Sequence, residues 1–223
     1  MFTTIATFFQ SGGPMMWVIL AVMATALSII MERLCFFLRK GNAGADELAA
    51  RTAERVVANE FQAALEKLDE DGGPAHRLMR RAVEEAWEGG GEQEIRQAVE
   101  ELAMREMPRF GHRLNYLAVL ANVATLAGLL GTIFGLQQSF SSLAVADAAA
   151  KASVLAAGIS QAMNTTALGL MVAMPILLIH SRLVSMASRR TEDCDAGLIK
   201  LLNFFSTRHR QFQKSNDRRR QAV

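Results

Sequence analysis

The chain has 223 residues, with 24 lysines and arginines against 22 aspartates and glutamates, so its formal net charge is only +2. The charges are unevenly distributed, because residues 1–31, 114–146 and 152–181 contain no Asp, Glu, Lys or Arg. Each of these runs exceeds the ~20 apolar residues that cross a hydrocarbon core. The sequence therefore excludes an ordinary soluble globular domain. It predicts an all-α integral membrane protein with three transmembrane helices.

The basic residues predict how the chain is oriented in the membrane. Of the 24 lysines and arginines, 13 lie in residues 32–113 and 10 in residues 182–223. Cytoplasmic flanks carry the excess positive charge, so the N-terminus is predicted to be periplasmic and the C-terminus cytoplasmic. The predicted segments are a periplasmic N-terminus at 1–13, transmembrane helices at 14–38, 114–137 and 155–181, a cytoplasmic helical domain at 39–113, a periplasmic loop at 138–154, and a cytoplasmic helical and basic tail at 182–223.

The first apolar run could instead be a cleaved signal peptide. It lacks a basic n-region, however, and its apolar stretch is longer than the h-region of such a peptide. We therefore interpret it as a helix that stays in the membrane. Its charged end at Glu32 and Arg33 is then expected to reach the cytoplasmic face.

The charged segment after the first span is predicted to fold as a compact bundle of antiparallel helices. One amphipathic helix is expected to end at Gly72-Gly73-Pro74, where Pro74 can open the next helix. Residues 89–91 are all glycine and should end that second helix. A third helix is expected to continue through Pro108 into the second span. The apolar positions that define the first and third of these helices are Leu48, Val56, Phe61, Leu65, Leu68, Ile95, Val99 and Leu102.

After the third span, residues 183–205 keep an apolar pattern of helical period. The second and third spans are therefore predicted to belong to helices longer than the bilayer is thick. The basic end of the chain, residues 208–223, is predicted to be frayed. We expect it to lie in solvent near anionic lipid rather than to bind nucleic acid.

The second span contains the sequence GLLGTIFGLQQSF at residues 128–140. Its three glycines could belong to a phosphate-binding loop or to a contact between membrane helices. A phosphate loop needs a lysine after its last glycine, and no lysine lies between Arg113 and Lys151. Small residues permit close approach of helices in lipid, which favours the packing interpretation. The small residues at helical spacing are Gly128, Gly131 and Gly135 on the second span, and Gly158, Ala162, Thr166, Gly169 and Ala173 on the third.

Uncharged polar residues also recur in both spans. They could form hydrogen bonds between helices or line a wetted pore or cavity, and the residues alone leave both interpretations open. A proton relay normally uses ionisable side chains, so another chain would have to supply the titrating group. The polar residues are Asn122, Thr125, Thr132 and Ser139 on the second span, and Ser160, Gln161, Asn164, Thr165 and Thr166 on the third. We find no residue pattern that predicts catalysis, a cofactor or a metal site.

Two motifs resemble those of the MotA/TolQ/ExbB proton-channel family, and most closely those of its three-span ExbB/TolQ branch. GLLGTIFGL at residues 128–136 is similar to the second-span signature of that family. ISQAMNTTALGLMVAMP at residues 159–175 is similar to its third-span signature. One position departs from the pattern, because Gln161 stands where ExbB and TolQ-like members usually have a glutamate. The amide of Gln161 cannot titrate.

The resemblance implies a homopentamer in the bacterial inner membrane, whose second and third spans line a central pore. It also implies an ExbD/TolR-like partner with a single span and an intramembrane aspartate. Thr132 and Thr166 match the family's pore-facing threonines, and Pro175 matches its third-span proline. The candidate proton-pathway residues are Thr132, Thr166, Thr165, Gln161, Thr125 and Ser139. The candidate helix-packing residues are Gly128, Gly131, Gly135, Gly158, Gly169 and Pro175.

Two functional hypotheses follow. The leading one is a pore-forming stator subunit of a motor driven by the proton-motive force, which energises envelope transport, envelope integrity or gliding motility. The alternative is a membrane scaffold that recruits partners through its cytoplasmic helices without conducting ions. The sequence does not distinguish H⁺ from Na⁺ or identify the process that is energised.

Overall fold

The computed structural model of the chain describes residues 12–39, 44–58, 60–69, 73–144 and 147–221. Within these ranges the chain forms helices and no strands, which confirms the predicted all-α class. Three stretches of helix are long and apolar enough to cross a membrane, within Met15–Leu38, Glu92–Leu143 and Lys151–Thr207, and this confirms the predicted number of spans. The helices are α1 (Met15–Arg39), α2 (Ala45–Val57), α3 (Phe61–Asp69), α4 (Pro74–Trp87), α5 (Glu92–Glu106), α6 (Pro108–Gly111), α7 (Leu114–Leu143) and α8 (Lys151–Gln221).

The chain divides into two compact units. The first, which we call the apolar unit, consists of Met1–Leu34 and Arg113–Val184. The second, which we call the charged unit, consists of Cys35–His112 and Ser185–Val223. The long helices α1 and α8 therefore contribute residues to both units.

The helices of the apolar unit are longer than the apolar runs predicted. Helix α7 continues to Leu143, beyond the predicted end at residue 137, and α8 begins at Lys151 rather than at 155. No proline or glycine lies between Leu136 and Leu143 to end α7, so polar residues extend the helix past the apolar run. The predicted loop shortens accordingly. Its residues 145–146, like residues 1–11 of the predicted N-terminal segment, lie outside the described residues.

The sequence predicted one continuous helix from α5 into α7, but the structure breaks it. Turns occur at Met107 and at His112–Arg113, with the four-residue helix α6 between them. Pro108 lacks the N–H that would continue the hydrogen bonds of α5, although Met107 before it keeps helical φ and ψ angles of −59° and −42°. Arg113 has a φ of 63°, in the left-handed region that non-glycine residues rarely occupy. Helix α7 therefore begins afresh at Leu114.

The first predicted amphipathic helix is divided in the structure. Helix α2 ends at Val57 and α3 begins at Phe61, so the prediction of one helix was wrong here. Both helices contact α4, and the break lets each one place its own apolar face on it. Val56 at the end of α2 and Leu68 in α3 are both buried. The apolar residues recur with helical spacing on both sides of the break, so the sequence pattern of residues 48–68 does not reveal it.

The helix boundaries that follow agree with the sequence. Pro74 is the first residue of α4, and α4 ends before the three glycines. Glu94 in the first turn of α5 accepts a hydrogen bond from the backbone N–H of Gly91 at 2.7 Å, which caps that helix. Proline at the first helical position and a carboxylate near the helix N-terminus are both favourable there.

The charged unit has a conventional hydrophobic core. Leu78, Met79 and Val83 of α4 are fully enclosed, and α5 contributes Ile95 and Val99. The end of α8 supplies a second apolar face, and an ion pair between Lys200 and Asp46 of α2 lies beside it at 2.7 Å. The core residues of α8 are Cys194, Leu198, Leu201, Leu202 and Phe205.

Helix α8 runs for 71 residues and stays helical to Gln221. The predicted frayed end was therefore wrong for the backbone of residues 208–221. No proline or glycine follows Gly197 in the sequence, so nothing in the chain ends the helix earlier. Pro175 is accommodated inside the same helix.

Two of the buried side chains in the charged unit are titratable, Glu106 and Cys194. The carboxylate of Glu106, in the last turn of α5, is 5% exposed. It forms ion pairs with Arg77 of α4 and, at 3.2 Å, with Arg109 of α6, which offset the cost of burying its charge. The thiol of Cys194 is also buried, and this burial, reinforced by the neighbouring carboxylates of Asp195 and Asp193, raises its pKa to about 12.

Candidate functional site

The second and third apolar helices, α7 and α8, contact each other through small residues. A methyl group added at Gly128 would lie 3.3 Å from the Cα atoms of Gly169 and Thr166, and one added at Gly169 would lie 2.7 Å from the carbonyl oxygen of Ala124. One added at Gly135 would lie 3.1 Å from the backbone nitrogen of Ala162. The two helix backbones therefore approach each other closely over several turns.

Hydroxyl groups reinforce this contact. Thr166 on α8 donates a hydrogen bond to the carbonyl oxygen of Gly128 on α7 at 3.1 Å. Ser139, near the end of α7, donates to the carbonyl oxygen of Val154 near the start of α8 at 3.1 Å. A side chain at Gly158 would overlap that of Ser139. In lipid such bonds between helices satisfy polar groups that have no water partner.

Thr165 differs from its neighbour Thr166. Its side chain is fully enclosed, and its methyl group occupies the space that a side chain at Gly131 would need. Its hydroxyl lies 2.8 Å from the carbonyl oxygen of Gln161, one turn earlier in α8, and 2.9 Å from that of Gly12. One hydroxyl proton thus serves two backbone acceptors. Within the single chain Thr165 is enclosed and packs against Gly131, and its place on a proton pathway stays a prediction.

Thr132 and Thr125 face away from this contact. Thr132 is half-buried and donates to the carbonyl oxygen of Leu129 of its own helix at 2.6 Å. Thr125 is exposed and donates to Ala121 in the same way at 3.1 Å. Each hydroxyl oxygen keeps its lone pairs for a further donor, so both residues can accept a hydrogen bond from a group outside the chain.

The polar side chains of α7 therefore lie at successively different angles around the helix axis. Asn122 and Thr125 are exposed, Thr132 is half-buried, and Ser139 is 4% exposed. A spacing of seven residues drifts by about 20° per repeat on a straight α-helix. The seven-residue spacing of Thr125, Thr132 and Ser139 suggests one stripe along α7, but in the structure only Ser139 bonds to α8.

Gln161 and Pro175 complete the predicted set. Gln161 is half-buried, and its side-chain amide lies against Gly13, just before α1. Pro175 is exposed on α8, whereas the predicted packing glycines Gly128, Gly131, Gly135, Gly158 and Gly169 are all buried. The assignment of Pro175 to packing therefore finds no support within the chain.

The apolar runs of α7 and α8 carry no acidic, basic or histidine side chain. Residues 114–146 and 152–179 contain no Asp, Glu, Lys, Arg or His. An ion pair lies where these runs end, between Glu32 of α1 and Arg113 before α7, at 2.6 Å. Among the described residues, no group of His, Cys, Asp and Glu side chains has the arrangement of a metal site.

Sequence reasoning missed two contacts of this unit. It did not anticipate the pair between Glu32 and Arg113, which lie 81 positions apart in the chain. It also did not anticipate that Gly12 and Gly13 would lie against α8. The sequence Gly12-Gly13-Pro14 directly before a membrane helix is a signal for a tight turn, but it does not identify what the turn touches.

The sequence of this chain is similar to those of several known proteins. An ExbB-like protein of Synechocystis is 31% identical over 175 residues, which cover 76% of this chain and 80% of that protein. An ExbB homolog of Methanothermobacter thermautotrophicus is 26% identical over 81% of this chain and 63% of its own length. The Tol-Pal system protein TolQ of Haemophilus influenzae is 37% identical over 83 residues, covering 37% of this chain and 36% of that protein.

The match to a protein family covers α7 and most of α8, the two helices that form the contact described above. Residues 70–196 match the MotA/TolQ/ExbB proton channel family, and this range includes α4 to α7, both apolar signatures and the first two thirds of α8. It is more than half of the chain. Together with the three apolar helices, this match shows that the chain is a multi-pass membrane protein that belongs to the MotA/TolQ/ExbB proton channel family.

Proposed function

We propose that this chain is the pore-forming stator subunit of an inner-membrane motor driven by the proton-motive force. The observation that carries the proposal has two parts. The hydroxyls of Thr125 and Thr132 bond within α7 and not to α8, and residues 114–146 and 152–179 contain no Asp, Glu, Lys, Arg or His. Family membership supplies the ion-conducting context. The orientation proposed from the basic residues is a periplasmic N-terminus and a cytoplasmic C-terminus.

The missing ionisable group has to come from a partner. Proton relays in membranes use carboxylates or imidazoles, and the apolar runs of α7 and α8 have none. The proposed partner is an ExbD/TolR-like protein whose single span carries an aspartate. Thr132 would accept a hydrogen bond from that carboxyl group when it is protonated, or from a water beside it.

The exposed apolar side chains of α7 support assembly into a homo-oligomer, which the family resemblance puts at a pentamer. Leu126, Ile133 and Phe140 are 62%, 56% and 64% exposed in the single chain. Lipid or other copies of the chain must cover them, because large apolar patches do not stay in water. Within the proposed ring, Thr125 and Thr132 lie on a face that can look towards the pore.

The energetics set a limit on this mechanism. One charge that crosses a potential of 100 mV releases about 2.3 kcal/mol. Several protons, or a geared movement of the partner, are therefore needed for each unit of mechanical work. The relatives named above take part in biopolymer transport or the Tol-Pal system, so we propose envelope transport or envelope integrity as the process energised here, with gliding motility as a further candidate.

The proposal is tested by proton flux. The chain and its single-span partner are reconstituted into liposomes with an internal pH dye, and a potassium gradient with valinomycin supplies the potential. We expect flux with the intact pair, a strong reduction for Thr132→Val, and near-normal flux for Thr132→Ser, which keeps the hydroxyl. The variant Thr125→Val should have a smaller effect because that residue is more exposed.

The alternative of a scaffold without an ion path makes opposite predictions. No flux would be seen with any partner, and Thr132→Val would leave the energy-dependent process of the cell intact. Changes on the surface of residues 45–110 would instead abolish that process. That pattern would overturn the proposed function.

A further inference from the structure

The turn Gly12–Pro14, directly before α1, lies against α8. It contacts Thr165 and Gln161, two of the candidate proton-pathway residues. The hydroxyl of Thr165 donates to the carbonyl oxygen of Gly12 at 2.9 Å, although 153 positions separate the two residues in the chain. Both residues are buried, and the side chain of Thr165 is fully enclosed. A backbone carbonyl that is enclosed in this way needs a donor, and Thr165 supplies it.

A second contact lies one helical turn away. Gly13 has a φ of 73°, which glycine adopts readily and other residues do not. A side chain at Gly13 would overlap the amide nitrogen of Gln161, so the amide occupies the space that the missing side chain leaves. Residues four apart lie on the same face of a helix, so Gln161 and Thr165 together present one surface to the turn.

The start of α1 continues this enclosed region. Met16 and Ile19 are completely buried, and a side chain at Gly12 would overlap that of Met16. The turn is thus enclosed by side chains of both α1 and α8. Burial recurs farther along α1 at Ala26 and Ile30, whereas Trp17 and Leu27 are 70% and 50% exposed.

We propose that the Gly12–Pro14 turn is a clasp that fastens α1 to α8, and that Gln161 and Thr165 are positioning residues rather than members of the ion path. The hydroxyl of Thr165 is committed to backbone acceptors, so it is not free to exchange protons. Its neighbour Thr166, about 100° around α8, bonds to Gly128. The clasp therefore holds α8 at the rotation that keeps Thr166 on α7. This inference rests on the proposed function only for its consequence on proton flux.

Disulfide formation tests the clasp itself. In a background of Cys35→Ser and Cys194→Ala, the pair Gly13→Cys and Gln161→Cys should form a disulfide on mild oxidation, because a Cβ at position 13 would lie 4.0 Å from the Cγ of Gln161. The substitution of Gln161 also removes the amide that this Cβ would overlap. The backbone strain of a cysteine at a φ of 73° is the same in the control pair. The matched control replaces Ser160, the exposed neighbour of Gln161, with cysteine. That pair should stay reduced, since adjacent helical residues point in directions about 100° apart. Mass spectrometry of protease fragments identifies the bond.

Two variants of Thr165 test the positioning role. Thr165→Val keeps the shape but removes the donor, and should lower the thermal unfolding midpoint, the yield of the 13–161 disulfide and the proton flux. Thr165→Ser keeps the donor and should restore the disulfide and the flux, although it loses the methyl group over Gly131. If the clasp stays closed throughout conduction, oxidation of the 13–161 pair should leave the flux unchanged.

The outcomes separate this inference from the proposed function. Failure of the 13–161 pair to crosslink, or equal yields with the 13–160 pair, would overturn the clasp whatever the flux. Normal disulfide yield and flux in Thr165→Val would overturn the positioning role, and loss of flux on oxidation would overturn a permanently closed clasp. Absence of flux in every variant, with the disulfide and its dependence on Thr165 intact, would refute the proposed function and support the clasp.

Discussion

In the apolar unit α7 and α8 touch backbone to backbone, whereas in the charged unit leucine, methionine and valine side chains fill the space between helices. Gly128 and Gly169 stand at the first kind of contact, and Leu78 and Val83 at the second. Water drives apolar side chains together, but lipid does not, so helices in lipid gain stability from close van der Waals contact and hydrogen bonds. The same chain therefore uses small residues for packing in one unit and large ones in the other.

The largest expected effect comes from placing a large side chain at the glycine contact. Gly169→Leu should prevent folding of the apolar unit, because even a methyl group would meet the carbonyl oxygen of Ala124 at 2.7 Å and backbone cannot move aside cheaply. The matched control is Ala167→Leu, an exposed position two residues earlier. Yield and thermal unfolding in detergent measure both. Equal behaviour of the two variants would show that the glycine contact is not what holds these helices together.

In the charged unit, the largest loss of stability is expected from the opposite change, the replacement of a large side chain by a small one. Leu78→Ala removes a completely buried side chain and should lower the free energy of unfolding by about 3 kcal/mol. Val57→Ala, at a position 63% exposed, should change it by less than about 0.5 kcal/mol. Chemical denaturation followed by circular dichroism compares them. A small effect of Leu78→Ala would contradict a conventional core in this unit.

The buried carboxylate of the charged unit should come next. Glu106→Ala leaves Arg77 and Arg109 without their shared partner and should cost roughly 2 kcal/mol. Its control is Glu101→Ala, whose ion pair with Arg105 is exposed on both sides. That change should cost at most about 0.5 kcal/mol. Similar losses from the two variants would mean that burial does not strengthen the Glu106 pairs.

A hydrogen bond between membrane helices should contribute less than either core. Ser139→Ala removes the bond to Val154 and should cost about 0.6 kcal/mol. Ser141→Ala, which removes a bond to Gln137 within α7 itself, should have almost no effect. The comparison is made by thermal unfolding in the same detergent. A loss of several kcal/mol for Ser139→Ala would show that hydroxyls, and not glycines, dominate the apolar contact.

The last comparison concerns the reactivity of Cys194, which has little bearing on stability near neutral pH. Because its pKa is raised to about 12 from 9.0, the native thiol should be alkylated very slowly at pH 8, since only the thiolate reacts. In the unfolded chain the rate should rise as pH passes 9. The native state should lose stability over the interval from pH 9 to 12, where only the unfolded chain ionises this thiol. Alkylation followed by mass spectrometry at each pH measures this, and rapid native labelling at pH 8 would contradict a buried thiol.

The sequence was sufficient for the three spans and for the glycine contact, because long uncharged runs and spacings of three and four residues follow directly from helix geometry. It was not sufficient for Thr165 and Thr166. These neighbours have the same side chain, and only the rotation of α8 places one against Gly12 and the other against Gly128. It also could not separate Thr132 from Ser139, because the drift of a seven-residue spacing becomes visible only once the partner helix is in place. The break between α2 and α3 was missed because apolar residues flank it on both sides.

The tight seam between α7 and α8 has a consequence for how such a protein is made. Helices that meet at Gly128, Gly135 and Gly169 leave no room for a file of water along this contact. If the chain is the pore-forming subunit proposed above, its conduit is created by assembly and not by α7 and α8 of one copy. On that proposal, leakage during biogenesis would come from misassembled rings rather than from surplus subunits.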